Sequence, residues 1–106
     1  MDKDFPEWYA RLREEYKDYL GAVENLGETV RKKGPLDEKT SHLIQLAASA
    51  AIRSEGAVHS HTRRALEAGA TSEEICQAVL LLTSTIGFPA ASAALSWVYD
   101  IVGGKK

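Results

Sequence analysis

Cysteine is nearly absent from this chain: Cys76 is the single one in 106 residues. One thiol forms no intrachain disulfide and supplies neither a CxxC redox pair nor a thiolate metal cage. An excess of charge of one sign is also missing. Thirteen Lys and Arg stand against fifteen Asp and Glu, a formal net charge of -2 with a pI near 5.9. That balance gives no overall pull toward phosphate backbones or anionic bilayers, so neither nucleic acid nor membrane is expected as a partner. No apolar run approaches the ~20 residues that span a bilayer. The opening Met1-Asp2-Lys3-Asp4-Phe5-Pro6 lacks the charged-then-apolar pattern of a leader, and the expected location is cytoplasmic.

What is present is ordinary globular material, 44% hydrophobic and 26% charged, with room for one domain over residues 1–106. A monomer of this size buries only roughly 65% of its unfolded surface, so a leftover apolar face is expected to be covered by another subunit. The pattern is helical throughout. Tyr9, Leu12, Tyr16, Tyr19, Val23, Leu26 and Val30 alternate by three and four, one stripe along an amphipathic segment over 4–33. Asp4 is its expected cap, and Gly21 and Gly27 are where it should bend or end.

A second helix follows Asp37 and carries Leu43, Leu46, Ala47, Ala50 and Ala51; a third runs from about Ala57 to Ala68, with Gly69 as its left-handed cap. Thr71 with Glu74 forms a capping box ahead of a fourth helix reaching about Ile86. After Gly87-Phe88-Pro89 a last helix bears Ala94, Leu95, Val98 and Ile101, before a frayed Gly103–Lys106 end. No segment alternates with period two long enough to be a strand, which predicts an all-α, single-domain bundle of about five to six helices. Thirteen of the fifteen alanines lie after residue 40 and let those helices pack closely.

His42, His59 and His61 are the residues best suited to proton exchange near neutral pH. His59 and His61, two apart on one helix, point about 200° from each other and do not chelate one ion together. No metal site and no cofactor are therefore expected from one chain. His61 shares a face with Ala57, Val58 and Ala65 and points inward, where a carbonyl-satisfied core histidine is the alternative to a working one. His42 lies beside Leu43 and Leu46, and His59 beside Ser60 reads most simply as a surface residue. Arg53, Arg63 and Arg64 flank this segment and suit a substrate carboxylate, unless they form a solvated face. Glu55 is either a loop base or a favourable charge at a helix start. Cys76, next to Ile75 and Val79, reads as packing rather than as a reactive thiol.

From Leu36 to Val102 the order of pieces resembles the carboxymuconolactone decarboxylase family, which includes the alkylhydroperoxidase-D-like proteins. The pieces are Leu36-Asp37-Glu38-Lys39 leading into Leu43-Ile44-Gln45-Leu46-Ala47, the stretch from His61 to Ala70, Ser72-Glu73-Glu74-Ile75, and Gly87-Phe88-Pro89-Ala90-Ala91. The resemblance implies an alkylhydroperoxidase-D-like helical fold, a core over 36–102, and assembly as a trimer or hexamer. The family's peroxidase branch uses a CxxC pair, a histidine four residues after it and a glutamate twelve before it. Placed on this sequence, the two cysteines become Ser54 and Ala57, the histidine stays as His61, and the glutamate becomes His42. The family's peroxiredoxin activity thus lacks both thiolates here.

The decarboxylase branch also lacks the cysteine pair and carries a similar Gly-Phe-Pro-Ala-Ala turn. It implies a carboxy-lyase acting on a small acid or lactone. His61 would be the proton donor, His42 and Ser54 would orient it or the substrate, and Arg53 and His59 would contact the substrate. Two other readings stand beside this one: a non-catalytic helical oligomer binding a small ligand or partner, and a thiol enzyme working through Cys76.

Overall fold

Asp37 and Thr71 show how local chemistry places the helices. The Asp37 carboxylate accepts the Thr40 N–H at 2.8 Å and starts α3 (Glu38–Ala51). Thr71 Oγ1 accepts the Glu74 N–H at 3.0 Å, and Glu74 Oε1 returns the favour to the Thr71 N–H at 3.0 Å, starting α5 (Ser72–Leu80). The Thr40 side chain and then its amide hold the Asp37 carboxyl below the usual carboxylate range, and the Thr71 amide does the same for Glu74, aided by Lys39, whose ammonium reaches it from α3 at 3.3 Å.

The computed structural model describes residues 7–103. Before α3 come α1 (Glu7–Glu15) and α2 (Lys17–Arg31); after it come α4 (Glu55–Glu67), α5, the four-residue α6 (Thr83–Ile86) and α7 (Phe88–Val102). Among the described residues there is no strand, and the chain has the all-α fold expected of it. It divides into two units, residues 1–35 and 36–106.

In the first unit the expected continuous helix is two. The break falls at Tyr16, whose φ of -131° and ψ of 55° leave the helical region, and not at Gly21 or Gly27, both inside α2. On a straight helix Tyr9 and Glu24 would stand about 22 Å apart. Here the Tyr9 hydroxyl donates to Glu24, and Arg13 pairs with the same carboxylate at 2.7 Å while its guanidinium lies over the Tyr9 ring. So α1 folds back toward α2, and a tertiary cluster decides the bend. Tyr16, Tyr19, Val23, Leu26 and Val30 are all about half exposed or more. Asp4, the expected cap, lies outside the described residues, as do Gly104–Lys106.

The second unit is built on one core. Leu46 and Ala50 of α3, Val58 and Ala65 of α4, Ile75 and Val79 of α5, and Ala94 and Val98 of α7 recur at spacings of four and seven and are fully buried. α3 packs along α4, α4 and α5 along α7, and α3 on α5. The small side chains permit close backbone approach, which sets how near the faces of α3 and α4 come.

Two boundaries depart from expectation for visible reasons. α4 begins at Glu55 because Ser54 caps it, its Oγ accepting the Ala57 N–H at 3.3 Å. The fourth helix stops at Leu80 instead of Ile86: Leu82 N–H turns to Val79 O at 3.0 Å, a tighter bond, and the chain re-enters as α6. Neighbouring Leu80 and Leu81 are both exposed, so that apolar run was not a core stripe. α4 does end as expected on Gly69, φ +101°, with Ala70 N–H bonded to Ala65 O at 2.9 Å. Gly87, at φ 94° and ψ 156°, occupies a region open essentially to glycine alone and turns the chain into α7.

Thr62, on the buried face of α4 between Val58 and Ala65, is fully buried and its hydroxyl has no hydrogen-bond partner. An unsatisfied buried hydroxyl is costly, whereas its isosteric replacement by a methyl removes that cost. Thr62→Val is expected to stabilise the protein by about 1 kcal/mol in urea unfolding; a lower midpoint would mean that the hydroxyl is satisfied.

Candidate functional site

His42 lies four residues before Leu46 and eight before Ala50, so the helical period carries it onto the core face of α3, where it is 4% exposed. His61 follows Ala57 by four residues on α4 and is half-buried. Because α3 and α4 pack side by side, the two rings meet: His42 Nδ1 and His61 Nδ1 are 3.3 Å apart, with ring centroids at 5.5 Å. On the other side of the His42 ring, Nε2 lies 3.3 Å from Oε1 of Glu38. Glu38 is one helical turn earlier on α3 and more than half exposed. The three groups form a line: exposed carboxylate, buried imidazole, half-buried imidazole.

That line dictates proton positions. A contact between two Nδ1 atoms accommodates one hydrogen, because two facing N–H groups repel and two facing lone pairs form no bond. Glu38 favours a proton on Nε2 of His42. When both rings are neutral, His42 then accepts at Nδ1 and His61 donates from Nδ1, which makes Nε2 of His61 its lone-pair nitrogen.

The other residues expected at the site have other partners. His59 turns to α7, its Nε2 2.9 Å from Asp100 and 4.0 Å from Glu55, consistent with the two-residue offset that directs it away from His61. The Ser54 hydroxyl is engaged in capping α4. Arg53 is exposed and sits in the left-handed region at φ 58°, ending α3 with Arg53 N–H on Ala50 O at 3.0 Å and Ser54 N–H on Ser49 O at 3.0 Å. Glycine ordinarily occupies such a position. Burial, and next the charge of Glu73, push the Cys76 thiol up, which keeps it protonated and a poor nucleophile.

The sequence reading passed over Glu38, although its spacing of four from His42 was available as a signal. Asp100 carried none, being 41 residues from His59.

A sequence model of the carboxymuconolactone decarboxylase family matches residues 17–100. The chain belongs to that family. The match begins at α2, earlier than the Leu36 start read from the motifs. The chain is 32% identical over 88 residues to a Methanocaldococcus jannaschii protein, MJ1511, described as uncharacterized, covering 83% of this chain and 82% of that one. A second uncharacterized protein of the same organism, MJ0742, is 32% identical over 92 residues, covering 86% and 88%. Among solved structures, apo-lpg0406 from Legionella pneumophila, a carboxymuconolactone decarboxylase family protein, is similar with a TM-score of 0.71 and 26% identity, covering 87% of this chain and 85% of that one.

Two outcomes are expected. Nitrogen-15 imidazole spectra above the titration range should show His42 as the Nε2–H tautomer and His61 as the Nδ1–H tautomer; identical tautomers would contradict the shared-proton contact. Arg53→Gly should raise stability by about 1 kcal/mol, since it relieves a left-handed arginine; an unchanged or lower denaturation midpoint would show the backbone to be unstrained.

Proposed function

We propose that the chain is a carboxy-lyase of the decarboxylase branch, acting on a small lactone or carboxylic acid by proton transfer from His61. The observation that carries this reading is the 3.3 Å contact of the two Nδ1 atoms with a carboxylate on the outer nitrogen of His42. When the substrate's C–C bond to its carboxylate breaks, carbon dioxide leaves and the electron pair stays on an enolate-like carbon. Protonated His61 gives its Nε2 proton to that carbon and becomes neutral, keeping its Nδ1–H on His42. A fresh proton then restores the cation, favoured by Glu38 acting through His42.

Glu38 supplies the negative charge that the family's glutamate supplies in the peroxidase branch, but from one turn earlier and through an extra imidazole. Arg53, exposed just before the start of α4, would hold the substrate's carboxylate in this reading, with Arg63 and Arg64 as further cations on that helix. Ser54 acts indirectly, by fixing the start of the helix that carries His61. The half-exposed stripe Tyr19, Val23, Leu26 and Val30 supports a homo-oligomer, a trimer or hexamer by family likeness. Among the described residues no helix is long and apolar enough to cross a membrane, and we place the protein in the cytoplasm. Two-cysteine peroxide reduction is disfavoured because Ser54 and Ala57 occupy the thiol positions and Cys76 is held protonated.

The test is turnover of a panel of lactone acids and small β-keto or unsaturated acids, followed by carbon dioxide release. His61→Gln is expected to lower kcat by about 10²–10⁴-fold with the fold intact, and Glu38→Gln to lower kcat by a smaller factor with KM little changed. Undiminished turnover in His61→Gln, or no release of carbon dioxide from any member of the panel, would overturn the assignment.

A further inference from the structure

His59 was set apart from the two relay histidines by its position on α4, and what it meets instead is a second cluster with different chemistry. Glu55, one turn before it on the same helix, and Asp100 on α7 bring a carboxylate oxygen each toward His59 Nε2, at 4.0 and 2.9 Å. All three ligand atoms lie within 4.8 Å of one another. The carboxylates are more than half exposed, while the imidazole is mostly covered, its side chain 18% accessible.

We propose that Glu55, His59 and Asp100 form a binding site for a divalent first-row transition ion, of the zinc or manganese class, that ties α4 to α7. A cation about 2.0–2.2 Å from each donor sets neighbouring donors about 3–3.5 Å apart. The donors stand 2.9 and 4.0 Å from His59 Nε2 and all within 4.8 Å of one another, somewhat wider than that spacing, and the exposed carboxylate arms have the freedom to close the difference.

Charge argues the same way. With His59 neutral the three side chains carry -2, which one divalent ion cancels. Glu55 gains from the positive start of α4, but Asp100 lies in the last turn of α7, where the negative helix end disfavours a carboxylate and where no basic residue of that helix compensates. A cation between the helices relieves that conflict. One imidazole with two carboxylates is a borderline donor set, which selects ions that accept nitrogen over magnesium or calcium. Three protein ligands leave positions open for water, and the exposure of two of them makes the site weaker than a closed structural one.

Calorimetric titration of the full chain with zinc, and manganese titration followed by electron paramagnetic resonance, test the site. The expected result is one ion per chain, a melting temperature that rises with added ion, and at least about tenfold weaker binding in His59→Ala and in Asp100→Asn. His61→Ala and Cys76→Ser should bind as the original chain does. Should Asp100→Asn fail to fold, the isosteric Glu55→Gln on the solvent side carries the same expectation. Absence of saturable binding up to about 1 mM ion overturns the site, as does binding that survives His59→Ala but is lost in His61→Ala, which would move the ion to the relay.

Discussion

The contact on which the candidate chemistry depends is the approach of His42 Nδ1 to His61 Nδ1, and that approach is a consequence of how closely α3 and α4 lie. The fully buried Leu46 and Ala50 on one helix face Val58 and Ala65 on the other, and a bulkier pair at the alanine positions would separate the axes. A shift of even 1 Å at the rings would turn a hydrogen bond into a gap. The alanine-rich composition is thus part of the site as well as part of the core. The same packing buries His42 and so raises the value of its partners, since an imidazole at 4% exposure has little water to fall back on.

Helix starts and stops were the most legible features. Asp37, Thr71 with Glu74, and Gly69 each act through atoms within three or four residues, so the sequence alone contains the whole interaction. The break at Tyr16 is different in kind. It is decided by Tyr9 and Arg13 meeting Glu24, contacts that do not exist until the chain has folded back, and the glycines that looked like weak points lie undisturbed within α2. The early end of α5 had a local sign that periodicity obscured: Leu80 and Leu81 are adjacent, and one narrow core stripe does not hold both.

The site shows the same division. Imidazole chemistry singled out His42, His59 and His61, the family motif aligned His42 and His61 with its relay positions, and helical geometry separated His59 from His61. Glu38 was readable by its spacing but competed with a simpler role, a favourable negative charge in the first turn of α3, which it also fills. Arg53 gave no sequence sign of its left-handed backbone, because arginine is not the residue that such a position selects. Asp100 was beyond any local argument, since only the packing of α4 on α7 makes it a neighbour of His59.

Replacing a relay carboxylate by an imidazole changes what the relay can do. A glutamate against His61 would fix one proton at the contact by charge and hold it there. An imidazole in that place has a second nitrogen, and here that nitrogen faces a carboxylate with solvent access. The negative charge is kept but moved outward by one ring, from the contact with His61 to the far nitrogen of His42. Under the proposed function, the imidazole at position 42 and the serine and alanine at the two thiol positions go together, since neither Ser54 nor Ala57 offers a thiol for a base to activate.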